Sequence, residues 1–268
     1  MMKALQNKVT ELFENGTITL MIGFRGVLDK FAIPVFITEV SQADQLIWTP
    51  ACLNNLSVYL HKSEVKQVGK IGIIGNAGTL RSLLQLISEN QLKELELTIL
   101  TINEQNEVIV FASTEELEVY VQANCPAYNP EDQALVDKLN AMTREERWKY
   151  WTGQLSACVK CYACRAVCPM CYCSVCTVEC NQPQWIKLSS ETEGNLEWHI
   201  MRAMHLAGRC INCGECGRIC PAGIPLQLLT VQMNQEIERA FGGKTGFSAK
   251  SGYALNTFKT EDKETFIR

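Results

Sequence analysis

Two runs of cysteine constrain this chain more than any other feature. The first is Cys158-x2-Cys161-x2-Cys164-x3-Cys168-Pro169, and Cys210-x2-Cys213-x2-Cys216-x3-Cys220-Pro221 repeats its spacing. Three thiolates at two-residue intervals can wrap one cubane from a tight loop, while a fourth thiolate just before a proline reaches a second cubane. The proline ends the loop and removes an N–H that would otherwise compete. The pattern therefore predicts two [4Fe–4S] clusters. Cys158, Cys161, Cys164 and Cys220 are expected to hold cluster 1, and Cys168, Cys210, Cys213 and Cys216 to hold cluster 2. Zinc is the simpler alternative for a thiol-rich loop. A closed zinc site joins two Cys-x2-Cys knuckles, however, and needs neither the third cysteine nor the Cys-Pro of each run.

Four more thiols follow Pro169: Cys171, Cys173, Cys176 and Cys180, in Cys-x-Cys-x2-Cys-x3-Cys spacing. Left unligated, so crowded a set would expose reactive thiols. Four is also the number that one further metal site needs. Three readings stay open here: a third cubane, a tetrahedral zinc, or buried thiols that pack the domain.

Of the 14 cysteines, only Cys52 and Cys125 lie outside the window from Cys158 to Cys220. A secreted disulfide protein would be small and would spread its cysteines as staples. The first residues, Met1 to Lys8, carry no apolar h-region or small-residue cleavage site, and no stretch approaches a membrane span. The expectation is a cytoplasmic protein whose thiols are reduced metal ligands. With 47 % apolar residues the chain has a globular composition, and its net charge of −4 without a basic stripe argues against a nucleic-acid partner.

Residues 1–125 read as an α/β domain. Leu5 to Phe13 has helical character, and Thr17 to Phe24, Pro34 to Thr38 and Gln45 to Trp48 read as strands. Lys70 to Ile74, the turn Gly75-Asn76-Ala77-Gly78, the amphipathic run Leu80 to Ile87 and the strand Glu94 to Ile102 form a βαβ unit. A glycine-rich turn before a helix can cradle an anion. This one matches neither the dinucleotide fingerprint nor the phosphate loop, and reads first as a tight turn.

Residues 126–157 are expected to be a linker and entry helix, with Thr143 and Glu146 in capping-box spacing. Residues 158–241 are expected to form an α+β domain of bacterial-ferredoxin type with a cysteine-rich insertion, and 242–268 a tail that is unstructured or lies on another subunit. Helices are predicted over Trp198 to Leu206 and Leu226 to Phe241. Lys160, Arg165, Arg209 and Arg218 stand near the thiols, where cations favour the reduced cluster and raise its potential. His199 and His205 read as packing residues, and His61 as isolated. Trp148, Tyr150, Trp151 and Trp185 suit either a domain interface or a partner contact.

The motifs Cys161-Tyr162-Ala163-Cys164-Arg165, Cys168-Pro169-Met170-Cys171-Tyr172-Cys173, Pro183-Gln184-Trp185 and His205 to Cys210 resemble iron–sulfur proteins related to the β subunit of F420-reducing hydrogenases and formate dehydrogenases. In the first half, Thr49 to Leu56 and Lys70 to Ile102 are similar to that family's α/β domain. The resemblance implies a subunit beside flavin- or NAD(P)-linked, hydrogenase, formate dehydrogenase or heterodisulfide-reductase-like partners, with ferredoxin as a further partner. It also implies complexes that split or merge electron pairs. Related proteins often carry a cysteine where this chain has Asn76-Ala77-Gly78-Thr79, which weakens any carry-over of FAD to the α/β domain. The leading expectation is an electron-relay subunit without catalytic residues. The alternative is a flavin-containing subunit that itself reduces a deazaflavin or nicotinamide.

Overall fold

The computed structural model describes residues 2–28, 30–93, 97–176, 178, 180, 183, 187 and 189–250. The chain begins with α1 (Met2–Glu14), whose Leu5, Val9 and Leu12 recur on one face and are buried. Strands β1 (Leu20–Val27) and β2 (Phe31–Ile37) follow, then two 3-10 segments (Val40–Gln45 and Leu56–His61) and the short α2 (Ser63–Lys66). Next come β3 (Ile71–Ile74), α3 (Ala77–Ser88), β4 (Leu97–Ile102), β5 (Val108–Phe111) and α4 (Thr114–Asn124). The sheet order is β2-β1-β3-β4-β5, with β1, β3 and β4 parallel and an antiparallel strand on each edge. A parallel centre with antiparallel edges is a common solution for an α/β sheet.

The expected βαβ unit is present as β3-α3-β4. The expected strand over Gln45 to Trp48 is not. β3 pairs β1 only over Leu20 to Ile22, so further along β1 the Phe24 carbonyl is free to accept from Ile47 N–H at 2.9 Å. That contact and one bridge from Leu46 to Arg25 are all the pairing this segment makes among the described residues.

The segment expected to be a linker and entry helix contains the entry helix, α6 (Arg144–Ser156), and before it a second helix, α5 (Pro130–Ala141), where a linker was expected. Asn129 caps α5 by accepting from Glu131 N–H, with Pro130 in the first turn. The capping box at α6 is made in both directions: Glu146 N–H donates to Thr143 Oγ1 at 3.2 Å, and Thr143 N–H to Glu146 Oε2 at 2.8 Å. Beyond it lie the one-turn α7 (Ala163–Ala166), α8 (Thr192–His205), the one-turn α9 (Glu215–Arg218) and α10 (Gln227–Phe241). Among the described residues no strand falls within 158–241, so this half is helices and loops, not the expected α+β arrangement. Cysteine spacing dictates loops around a metal group and says nothing about what links them.

α3 joins the halves. An amphipathic surface helix keeps its polar face in water. Here Arg81, Ser82 and Gln85 are buried alongside Leu80, Leu83 and Leu84: Asn55 covers Ser82, and the chain beyond residue 125 covers Arg81 and Gln85. The chain then returns: Thr245 carbonyl accepts from Arg81 Nη2 (2.8 Å), Gly246 N–H donates to Gln85 (3.0 Å), and Phe247 lies under the Arg81 guanidinium. The described part of the predicted tail is thus a strap on the chain's own α/β half. Among the described residues no helix is long and apolar enough to cross a membrane.

Candidate functional site

The two cysteine runs adopt one backbone conformation twice. Lys160 and Tyr162 have φ of 54° and 58°, and the equivalent Asn212 and Gly214 have 57° and 75°. For three non-glycine residues this left-handed conformation costs on the order of 1–3 kcal/mol each, and it persists only where the surroundings demand it. Here it curls each loop so that backbone N–H groups face sulfur: Lys160 N–H donates to Cys158 Sγ and Asn212 N–H to Cys210 Sγ, both at 3.4 Å. Left-handed residues two positions apart curl the backbone into a concave nest of N–H groups, of the kind that cradles anions and iron–sulfur groups. The helical turn α7 then carries Cys164, and α9, packed against it, carries Cys216. Each run closes alike, with Cys171 N–H donating to the Cys168 carbonyl and Gly223 N–H to the Cys220 carbonyl, both at 3.0 Å.

Two of the thiols, Cys164 and Cys216, lie within electrostatic reach of the cysteines that the spacing groups with them. Burial pushes the Cys164 thiol up; Arg202 pulls it down, and the charges of Cys158, Cys161 and Cys220 raise it again. Cys216 is pushed up by burial, pulled down by Arg202 and raised by Cys210, Cys213 and Cys168. Burial, Cys210 and Cys168 push Cys213 up to about 12. Cys164 and Cys216 each feel the other three members of their own quartet. Apolar side chains surround both sets. Leu155, Val178, Trp198, Ile224 and Leu226 pack around Cys158, Cys164 and Cys220, and also around Cys216 and Cys176. Leu86, Met170 and Leu206 pack around Cys168 and Cys210. Thiols held up by burial release their protons when a metal replaces them. Donor set, nests and apolar surroundings all fit a pair of cubanes.

Two buried arginines attend these quartets, and neither was singled out from the sequence. Arg202, 7 % exposed, donates from Nη2 to the Cys164 carbonyl at 2.9 Å. Burial works against its charge, but Cys168, Cys171, Cys216 and Cys164 together raise its pKa above that of a free arginine. Arg81, 4 % exposed, donates to the Pro126, Ala127 and Thr245 carbonyls. Burial lowers its pKa to about 10 against the pull of Cys210, Cys125 and Cys213. A buried cation needs a nearby negative charge. The signal was legible for Arg202. It sits four residues after Trp198 and four before Leu206, an arginine on the apolar face of α8.

The four cations noted in the sequence have other attachments. Arg209 forks onto Glu89 (2.7 Å from Nη2) and Arg218 pairs with Glu215 (2.7 Å). Lys160 Nζ holds the Gly194 carbonyl at 2.9 Å, and Arg165 the Cys173 carbonyl at 3.2 Å. Glu89 also accepts from Tyr172 OH at 2.6 Å, so one carboxylate at the end of α3 ties down both cysteine segments. His199 is buried against the Trp198 ring, and burial lowers its pKa to about 3. His205 is exposed, and His61 is not isolated but packs on Tyr172. Trp151 and Tyr150 fill the seams between helices, and Trp148 is exposed. Trp185 lies outside the described residues.

The turn Gly75-Asn76-Ala77-Gly78 has a neighbour. Asn76 caps α3 by accepting from Thr79 N–H at 2.9 Å and donates to the Cys52 and Asn54 carbonyls. A Cβ added to Gly78 would stand 3.2 Å from the Cys213 Cβ. What faces this helix terminus is the loop that carries Cys213.

No family model matches this chain. Over 99 residues, 36 % of this chain, it is 36 % identical to the F420-dependent formate dehydrogenase subunit beta of Methanocaldococcus jannaschii. Over that stretch the two chains are related. The chain spans about a quarter of the length of that relative, since the match covers 24 % of it. The named relative is a subunit of a formate dehydrogenase, in line with the resemblance carried by the cysteine motifs.

Proposed function

We propose that this chain is an iron–sulfur electron-relay subunit of a larger oxidoreductase complex. It would pass single electrons between partner subunits that carry flavin, nicotinamide, hydrogenase, formate dehydrogenase or heterodisulfide-reductase-like sites. The observation that supports it best is the doubled loop, with its paired nests and interleaved quartets. When bound, the two [4Fe–4S] clusters would supply reversible one-electron carriage. The chain's own residues hold them, exclude water with Trp198, Leu206 and Ile224, and set the local field with Arg202, Arg81 and the N–H groups. The N-terminus of α3 adds a positive dipole end on the side of Cys213, favourable for an anionic group. The flavin alternative had its local support in the Gly75–Gly78 turn. That turn is packed against Asn54, Cys52 and Cys213, which favours the relay reading.

Anaerobic iron and sulfide content with EPR of the reduced protein tests the assignment. Cys158→Ser and Cys220→Ser should abolish one and the same EPR signal, and Cys210→Ser and Cys168→Ser the other. If each run's four cysteines instead govern one signal, the interleaving is wrong. A chain that carries stoichiometric zinc in place of iron would sink the relay reading.

A further inference from the structure

The two runs keep in step until the turn after Cys-Pro and then part. Run two has Gly223 at that turn and continues to α10; run one has Cys171 there and continues through Cys173, Cys176 and Cys180. Three of these four thiols, Cys171, Cys173 and Cys176, line a single cavity of about 80 Å³. Arg165, Arg202 and Arg209 line it too. Thiols and guanidiniums around one void suit an anion bound through sulfur. Cys180 N–H donates to the Cys176 carbonyl at 2.9 Å, which keeps the fourth thiol within one helical turn of the third.

Zinc is the smaller candidate. Its four sulfurs would each lie about 2.3 Å from one ion. Among the described residues, here and in the two quartets alike, no three Cys, His, Asp or Glu side chains are arranged around a single-ion position. A cubane spreads its thiolates over four irons and suits a wider ring of donors around a void. We propose that Cys171, Cys173, Cys176 and Cys180 bind a third iron–sulfur cluster, a station that extends the relay of the two-cluster reading. The four thiols give up their protons to solvent, each sulfur binds one iron, and the surrounding arginines balance the resulting negative charge. Cys171 N–H donates to the Cys168 carbonyl and both side chains pack on the same apolar cluster, so the third station adjoins cluster 2. Cys173 and Cys180 are exposed, so it is also where electrons would enter or leave the chain.

Iron, acid-labile sulfide and zinc per full-length chain, with Mössbauer and EPR spectra, test this on the unsubstituted protein beside Cys173→Ser/Cys176→Ser. About twelve irons should fall to about eight in the variant, with one spectral component lost. About eight irons in both proteins would overturn the third cluster and leave the other two standing, with or without a zinc that the variant loses. About four irons, all lost in the variant, would support the third site and overturn the two-cluster reading. If the variant does not fold, the iron count of the unsubstituted chain still decides between eight and twelve.

Discussion

Arg202 reaches a cysteine of one quartet by hydrogen bond and several of the other by charge, so its loss should be felt at both clusters. Removing a buried cation beside an anionic cluster disfavours the added electron. Arg202→Gln should therefore shift both midpoint potentials negative, by at least the ~59 mV that a tenfold change corresponds to for one electron. Arg202→Lys should recover part of the shift. A redox titration followed by EPR checks this, and a shift confined to one signal would place Arg202 at that cluster alone. Glu89 works differently. Its side chain, 3 % exposed, accepts from Arg209 and Tyr172, and nothing in the relay requires its charge. Glu89→Gln should lower stability by about 3 kcal/mol, the usual cost of breaking a buried pair from one side. The thermal midpoint of the iron-loaded protein should fall while its EPR signals stay in place.

Among the elements, α5 and the strap are where the chain departs most from its sequence reading. Asn129-Pro130 is a helix-start signal, but the residues after it, Glu131 to Asn140, have a weak apolar period, and a linker was the reading they gave. The helix is fixed from outside, by Val136 and Leu139 packing on Leu228 and Val231 of α10. Asn129→Ala should cost about 1 kcal/mol, as should Thr143→Ala at the α6 capping box, each read as a fall in thermal midpoint. The strap depends on Gly246, which has φ of 76° and would place an added Cβ 2.7 Å from the Arg81 carbonyl. Gly246→Ala should lift it. Faster hydrogen exchange at residues 245–249 and in α3 is the expected outcome, and unchanged exchange would mean the strap holds without this turn.

At the scale of the whole molecule the halves are stabilised unequally. The sheet and its helices share one continuous apolar core that runs from Leu5 to Val121. The cysteine half has three small clusters, two of which include cysteines among their members. A half of that kind would depend on the proposed clusters to stay folded. Oxidative removal of iron should expose Trp198 and shift the fluorescence to the red, while far-UV circular dichroism keeps the signal of the five-stranded sheet. Loss of both signals together would show that α3, buried between the halves, makes them one cooperative unit.

The cysteine spacing by itself determined the doubled loop, because two runs of one spacing curl the backbone in one way. Period and turn residues likewise determined α1, the β3-α3-β4 unit and the capped start of α6. What only the tertiary structure decided are long-range contacts. The chain beyond residue 125 covers Arg81 and Gln85 of α3, Arg202 and Arg81 become cations buried among thiols, and the turn at Gly78 meets Cys213. Local sequence records how a segment pairs with itself. It does not record which distant segment will take its place in water, and here that substitution brings the charges to the sulfur.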